Sequence, residues 1–289
     1  MHPRSFEYFA PKTLHEASVL LTKYKDNAKV LAGGHSLIPL MKLRLASPEY
    51  IVDINRIGAL DYIKKTGSKL RIGALTRYYQ LEDSKVVAKV CPLITEAVGL
   101  IGDAQVRSRG TIGGNLSHAD PANDLPVAML ALDAEFVLRG LKKQRIVKAS
   151  KFYTDVFTTV LRTGEILSEV RVNVSPIKSG GCFQKFERRA GDFAIVSVAA
   201  QLALDREGLC RYVGIGLGAV GPTPLKALGA EKLLLGRRIT GELIEAAADK
   251  CSELSTPSED LSGSVEYKKD MVKVFAKRAI RKAWDRAKA

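Results

Sequence analysis

Apolar positions fall into short blocks between turn-forming residues, and over the first 176 residues these blocks alternate between strand-like and helix-like spacing. Thr13-Leu14-His15-Glu16 reads as a capping box opening a helix with Val19, Leu20 and Leu21 among its apolar positions. Ala28-Lys29-Val30-Leu31-Ala32 has the length of a buried strand, and Gly33-Gly34 follows it at a turn. A helix over 36–45 with Pro39 in its first turn comes next, and Ser47-Pro48 ends it before a strand over 50–54. Strand, glycine turn, helix, strand is an order that brings a ligand to exposed backbone N–H groups. A hairpin over 62–72 turns at Thr66-Gly67-Ser68, and helices over 81–88 and 93–101 lead to a second glycine pair in Thr111-Ile112-Gly113-Gly114-Asn115. This second segment also reads as a tight turn. A polar loop over 117–124, an apolar helix over 125–132, strands over 135–139 and 145–148, and a strand over 166–174 follow.

Pro176-Ile177-Lys178-Ser179-Gly180-Gly181 reads as a linker, after which the pattern changes. Strand-like runs over 183–188, 195–204 and 210–216 precede helical runs over 225–235, 241–254 and 267–286, a block order that predicts a small α+β domain. The expected division is 1–176, with parts 1–56 and 57–176, and then 181–289. Gly216-Leu217-Gly218-Ala219-Val220-Gly221 spells a dinucleotide fingerprint, but Pro222 and Pro224 follow it where that fingerprint needs a helix. A glycine-rich strand running into a turn is the expectation there.

Composition narrows the function classes. The 289 residues are 46% apolar with mean hydropathy −0.02, as in a globular protein with real cores, and no apolar run is long enough for a membrane span. The opening residues carry no export-type apolar segment, so a cytoplasmic location is expected. Cys91, Cys182, Cys210 and Cys251 are scattered without metal-ligand spacing, and His2, His15, His35 and His118 form no such pattern. The net charge of +14 invites a nucleic-acid reading. Much of the excess lies in the last helix, however, and no nucleic-acid recognition motif accompanies it. A solvated basic face, or a docking face for an acidic partner, is the alternative.

The glycine pairs carry the chemistry. Adjacent glycines let backbone approach a ligand closely, and consecutive N–H groups at such a bend make a concavity for anions. Two of them in one small protein suggest a single long anionic ligand held from two sides, for which a diphosphate-bridged dinucleotide is the natural candidate.

Ala32-Gly33-Gly34-His35-Ser36 with the following 37–44, Gln105-Val106-Arg107, Thr111-Ile112-Gly113-Gly114-Asn115, Arg188-Arg189-Ala190-Gly191-Asp192-Phe193-Ala194 and Pro257-Ser258-Glu259-Asp260-Leu261 occur in one order. Together they resemble the FAD-binding medium subunits of the molybdenum hydroxylases, of the carbon monoxide dehydrogenase and aldehyde oxidoreductase type. The resemblance implies an α+β/α/β chain: a two-subdomain FAD-binding domain of the vanillyl-alcohol oxidase (PCMH) type, then an α+β domain with a three-stranded antiparallel sheet plus helices. It implies FAD held without a covalent bond, its diphosphate on the backbone of Ala32, Gly33, Gly34, His35, Ser36 and Leu37 and of Thr111, Ile112, Gly113, Gly114 and Asn115. The Ser36 and Thr111 hydroxyls would add donors and Lys29 nearby positive charge. Asp124 would contact the ribose or adenine end, with a helix N-cap as its other reading. Leu167 would meet the flavin's pyrimidine edge through its backbone, and Lys185, Asp192 and Phe193 would lie near the ring. For Lys185 and Asp192 a surface ion pair is the alternative.

By the same resemblance, catalysis on the organic substrate belongs to a large molybdenum-pterin subunit, and a small [2Fe–2S] subunit relays electrons to this FAD and on to an external acceptor. The assembly expected is a dimer of heterotrimers. The rival readings are a self-contained flavin oxidase or reductase of the same fold and a basic nucleic-acid-binding protein.

Overall fold

The computed structural model describes residues 2–176 and 178–289; Ile177 of the expected linker lies outside the described residues, as does Met1. The first layer is a small parallel sheet in the order β1-β3-β2, from β1 (Glu7–Phe9), β2 (Ala28–Leu31) and β3 (Tyr50–Asp53), covered by α1 (Leu14–Tyr24). Thr13 accepts from the Glu16 N–H, as the capping box predicts. The second helix, α2 (Leu37–Lys42), is shorter than the expected 36–45, since Arg44 takes a left-handed backbone (φ 60°) that no helix continues through. β1 escaped the sequence pattern because three residues pairing with a strand over forty positions away leave no local period.

A five-stranded antiparallel sheet follows, ordered β4-β5-β10-β6-β7. Its strands are β4 (Ile63–Thr66), β5 (Lys69–Gly73), β6 (Glu135–Arg139), β7 (Gln144–Lys148) and β10 (Ile166–Asn173), with a small β8 (Tyr153–Asp155)–β9 (Thr158–Thr159) pair beside it. Between β5 and β6 run α3 (Tyr78–Glu82), α4 (Lys85–Val90), α5 (Pro92–Gly99), α6 (Ala104–Arg109), α7 (Ile112–His118) and α8 (Asp124–Ala131). The single helix expected over 81–88 is thus two, because Ser84 caps a new one by accepting from Val87 N–H at 3.2 Å. Phe136, Phe152, Leu125 and Ile112 are fully buried in the core these elements share.

The last sheet is antiparallel, ordered β11-β12-β13-β14: β11 (Ser179–Phe186), β12 (Val196–Leu204), β13 (Cys210–Gly218) and β14 (Leu225–Lys226). The three expected strands form its body, and β14 adds a two-residue edge at the start of what had read as a helix over 225–235. That helix, α9, covers Leu228–Leu234, and α10 (Gly241–Leu254) and α11 (Val265–Lys288) follow. Part of the expected linker is therefore strand: Ser179, Gly180 and Gly181 open β11. Gly180 is small because α11 lies on it, and a Cβ there would overlap the Ala283 carbonyl.

The same logic explains the false fingerprint. Gly214, Gly216 and Gly218 alternate along β13, and Cβ atoms on them would run into Ala131 O, Val127 O and the Val127 side chain. Those glycines seat α8 directly on β13. They join the sheet of the last 110 residues to the core before it, and they are packing residues. On α11, Ala276, Ala279, Ala283 and Ala287 are buried, while several of its cations pair within the chain: Lys273 with Asp249 (2.6 Å) and Arg286 with Glu96 (2.8 Å).

Candidate functional site

The two glycine-paired segments meet. A Cβ on Gly33 would sit 2.5 Å from Arg109 O and 2.9 Å from Gly110 Cα, and one on Gly114 would lie 3.7 Å from Ala32 Cβ. Glycine is required at 33 because the segment before α7 passes there at backbone contact distance.

Their internal states differ. The first segment leaves β2 through a bend at Gly34, whose φ of +79° suits glycine. Gly34 and Ser36 use their carbonyls to start α2, accepting from Ile38 (3.0 Å) and Leu40 (3.1 Å) N–H. No acceptor among the described residues takes the N–H of Gly33, Gly34, His35 or Ser36, and His35 and Ser36 are exposed. Consecutive donors of this kind are what an anion needs.

The second segment is not a turn but the first turn of α7. Thr111 is its N-cap, accepting from Gly114 N–H at 3.1 Å; Ile112 N–H donates to Thr76 O (3.1 Å), Gly113 N–H to Ala74 O (2.9 Å) and Asn115 N–H to Thr111 O (3.0 Å). Each of these amides has an acceptor within the chain, in contrast to those of the first segment. Gly113 is glycine because Ala74 crosses it, with a would-be Cβ 2.5 Å from Ala74 Cβ. Thr111 is buried, and its hydroxyl oxygen is taken up by its capping bond.

Beyond α7, Asn123 Nδ2 donates to Asn115 O at 3.1 Å and holds the loop that leads into α8. Asp124 is the first residue of α8 and not its cap: Asn123 holds the cap position, without a side-chain capping bond. Asp124 is buried, and its Oδ2 receives Lys185 Nζ at 3.0 Å; Lys185 also meets Glu187 (3.1 Å) and Leu100 O (3.0 Å). Burial raises the Asp124 carboxyl to about 7, against the opposing pull of Lys185. The Lys185 side chain is only 2% exposed and pairs with Asp124 and Glu187, so the alternative of a surface ion pair between Lys185 and Asp192 is not what the structure holds. Lys185 instead joins β11 to α8. Asp124 Oδ1 and Asn115 Oδ1 are both buried without a partner, two acceptors that await N–H or O–H donors.

The remaining candidates are more dispersed. Leu167 is buried near the start of β10, where a bulge between Leu167 and Glu169 shifts the register against β6. Phe193 is 65% exposed in the loop before β12, which is steered over the other core by Gly191 (φ 89°) packing on Gly102. Lys29 is exposed on β2. His118 ends α7 against the Phe157 ring (centroids 5.0 Å apart), and burial lowers its pKa.

Sequence reading missed Arg77. It occupies the N-cap position of α3, where its own N–H goes to Gln80 Oε1 (2.6 Å), and its side chain leaves the helix to reach Arg109 O and Asn55 Oδ1. Asn55 in turn donates to Ala32 O at 2.8 Å. No local motif announces an arginine whose partners lie over twenty positions to either side.

A row of free amides ending at the exposed Ser36, with unpaired buried acceptors farther along, fits a ligand that is anionic in the middle and hydroxyl- or amide-bearing at its ends. Flavin adenine dinucleotide has that distribution. Residues 4–174 match the family described as the FAD binding domain in molybdopterin dehydrogenase, and residues 181–283 match the CO dehydrogenase flavoprotein C-terminal domain. The chain is 42% identical to the carbon monoxide dehydrogenase medium chain of Hydrogenophaga pseudoflava over 99% of each, and 39% identical to the glyceraldehyde dehydrogenase medium chain of Sulfolobus acidocaldarius over 97% and 99%. The solved structure of the Hydrogenophaga pseudoflava carbon monoxide dehydrogenase superposes with a TM-score of 0.97 at 43% identity, covering 99% of both chains. The chain belongs to the FAD-binding medium chains of the molybdenum hydroxylases, oxidoreductase subunits of the carbon monoxide dehydrogenase type.

Proposed function

We propose that this chain is the electron-transfer flavoprotein of a heterotrimeric molybdenum hydroxylase. In this reading it accepts electrons from [2Fe–2S] clusters of a small subunit, beside a large molybdenum-pterin subunit, and delivers them to an external acceptor. The working assembly is a dimer of heterotrimers in the cytoplasm. The observation that carries the reading is the row of unengaged N–H groups at Gly33, Gly34, His35 and Ser36, in a chain matched end to end by medium chains.

The residues divide the work of holding FAD without a covalent bond. Amides of 33–36, framed by Ala32 and Leu37, take the diphosphate, joined by the hydroxyls of Ser36 and Thr111 and the field of Lys29. Ile112, Gly113 and Gly114 bring the second segment to the other side of the diphosphate and place Thr111 there. Asn115 and Asp124 accept from hydroxyl or amide groups of the nucleotide. The Leu167 backbone meets the flavin edge, and Lys185, Asp192 and Phe193 border the ring. FAD, when bound, supplies an electron store that can be filled singly and emptied in pairs. The division into 1–176, with its parts 1–56 and 57–176, and 181–289 belongs to the same proposal.

The test is purification of the tagged chain from its source cells, with flavin, iron and molybdenum measured in the same fractions. Co-elution of FAD with iron and molybdenum in two further chains is the expected result. A homogeneous flavin-bearing chain that turns over substrate alone, without either metal, overturns it in favour of a self-contained flavoenzyme.

A further inference from the structure

Arg77 stands apart from the other half-buried guanidiniums. Arg71, Arg107 and Arg145 each pair with a carboxylate, Glu169, Glu82 and Glu165, at 2.7–2.9 Å. Arg77 has none within ion-pair distance among the described residues; Asp53 and Asp61 act on it only at longer range, and Arg109 opposes it as a like charge. Its bonds go to neutral acceptors alone, Arg109 O and Asn55 Oδ1 (2.5 Å). Half-buried and without a carboxylate partner, it keeps its positive charge available to an anion placed beside it.

The acceptors place it. Arg109 O belongs to the backbone on which Gly33 packs, just before the second glycine segment, and Asn55 holds the first segment by donating to Ala32 O at 2.8 Å. Asp53 fixes the Asn55 amide, its Oδ1 taking both Asn55 N–H (2.9 Å) and Nδ2 (2.6 Å), while its Oδ2 takes Tyr8 OH at 2.5 Å. Through Arg109 O, two residues before the second segment, and through Asn55 on Ala32 O, one side chain therefore links the two segments and keeps a formal positive charge where they meet.

We propose that Arg77 is a positioning residue for the FAD diphosphate, locking the two glycine segments against each other and lending the cradle a charge that no carboxylate neutralises. This rests on the reading of residues 33–36 as the diphosphate cradle. Arg77 acts through Ala32–Ser36 and through the field, with no contact to the flavin ring.

The experiment titrates FAD and riboflavin, which lacks phosphate, into the flavin-free full chain at low and high salt, comparing wild type with Arg77→Met, Arg77→Lys and Asn55→Ala. Arg77→Met is expected to weaken FAD by about tenfold to hundredfold, the range for a charge-assisted interaction, and to flatten the salt dependence. Arg77→Lys keeps the salt dependence and recovers part of the affinity, and Asn55→Ala loses several-fold at unchanged salt dependence. Riboflavin affinity stays within about twofold of wild type throughout. An Arg77→Met chain that binds FAD within about twofold of wild type overturns the proposal, as does a parallel loss of riboflavin, which marks a merely structural role. Should Arg77→Met fail to fold, Asn55→Ala with unaltered FAD affinity overturns the proposal equally. A wild-type chain that binds no FAD refutes the cradle itself, an outcome distinct from an unaltered variant.

Discussion

The two glycine-paired segments read alike as text and differ in physical state. Both place Gly-Gly after an approach to a bend, and both come to the same spot. In Ala32–Ser36 the amides are unengaged and the bend is open to solvent on one side; in Thr111–Asn115 every N–H from Ile112 to Asn115 already has an acceptor. The first segment leaves a row of donors untaken, and the second is the abutment that fixes it. A glycine pair is therefore ambiguous until its amides are accounted for: glycine at 113 serves close packing on Ala74, glycine at 34 serves a positive φ, and glycine at 33 serves the meeting of the two.

The widest separation between the segments should appear on adding a side chain to each. Gly113→Val forces two methyls against Ala74 in a buried position, and overpacking of this kind costs about 3 kcal/mol. The flavin-free chain should then melt roughly 6–12 °C lower by scanning calorimetry. Gly33→Val should behave oppositely, with a Tm drop of only a few degrees but loss of retained flavin after gel filtration, because the amide row is levered off the second segment. If Gly113→Val keeps the wild-type Tm and loses only flavin, the two segments are equivalent and the contrast fails.

A smaller contrast comes from the hydroxyls. Thr111→Ala removes an N-cap, worth about 1 kcal/mol, so the flavin-free chain should lose roughly 2–4 °C. Ser36 precedes α2 without a side-chain capping bond, so Ser36→Ala should leave Tm within about 0.5 kcal/mol equivalent and weaken FAD a few-fold by fluorescence titration. Equal Tm losses for the two variants would place Ser36 in the fold and not at the ligand.

Local pattern carried much of this molecule and stopped at a definite boundary. Strands 135–139 and 166–174 were legible because buried and exposed positions are set by neighbours in the same sheet, and Thr13 was legible because capping is complete within four residues. The glycines of β13 could be set aside as a fingerprint from Pro222 and Pro224 alone, yet their purpose, seating α8, depends on a helix some eighty positions earlier. The engaged state of Gly113 was hidden for the same reason, since its acceptor Ala74 belongs to another element. Arg77 and the Asp124–Lys185 pair lie on the far side of that boundary. Their partners are assembled by packing, and nothing within a helical or strand period of either residue distinguishes it from a solvated charge or a cap.

Asp124 offers the finest test of the abutment. Its folded pKa of about 7 stands above the ordinary 3.8, so folding favours the protonated acid. The contribution of this carboxyl to stability is then complete below about pH 4 and is lost progressively as the pH rises toward 7. Asp124→Asn does not titrate, so the Tm of the flavin-free wild type minus that of the variant should fall steadily between those two values and level off above them. A difference that stays flat across the window would mean that Lys185 keeps the carboxylate ionised throughout. The end of α8 would then present a fixed charge to the nucleotide, and the region beyond the second segment would share the first segment's character as a binding surface.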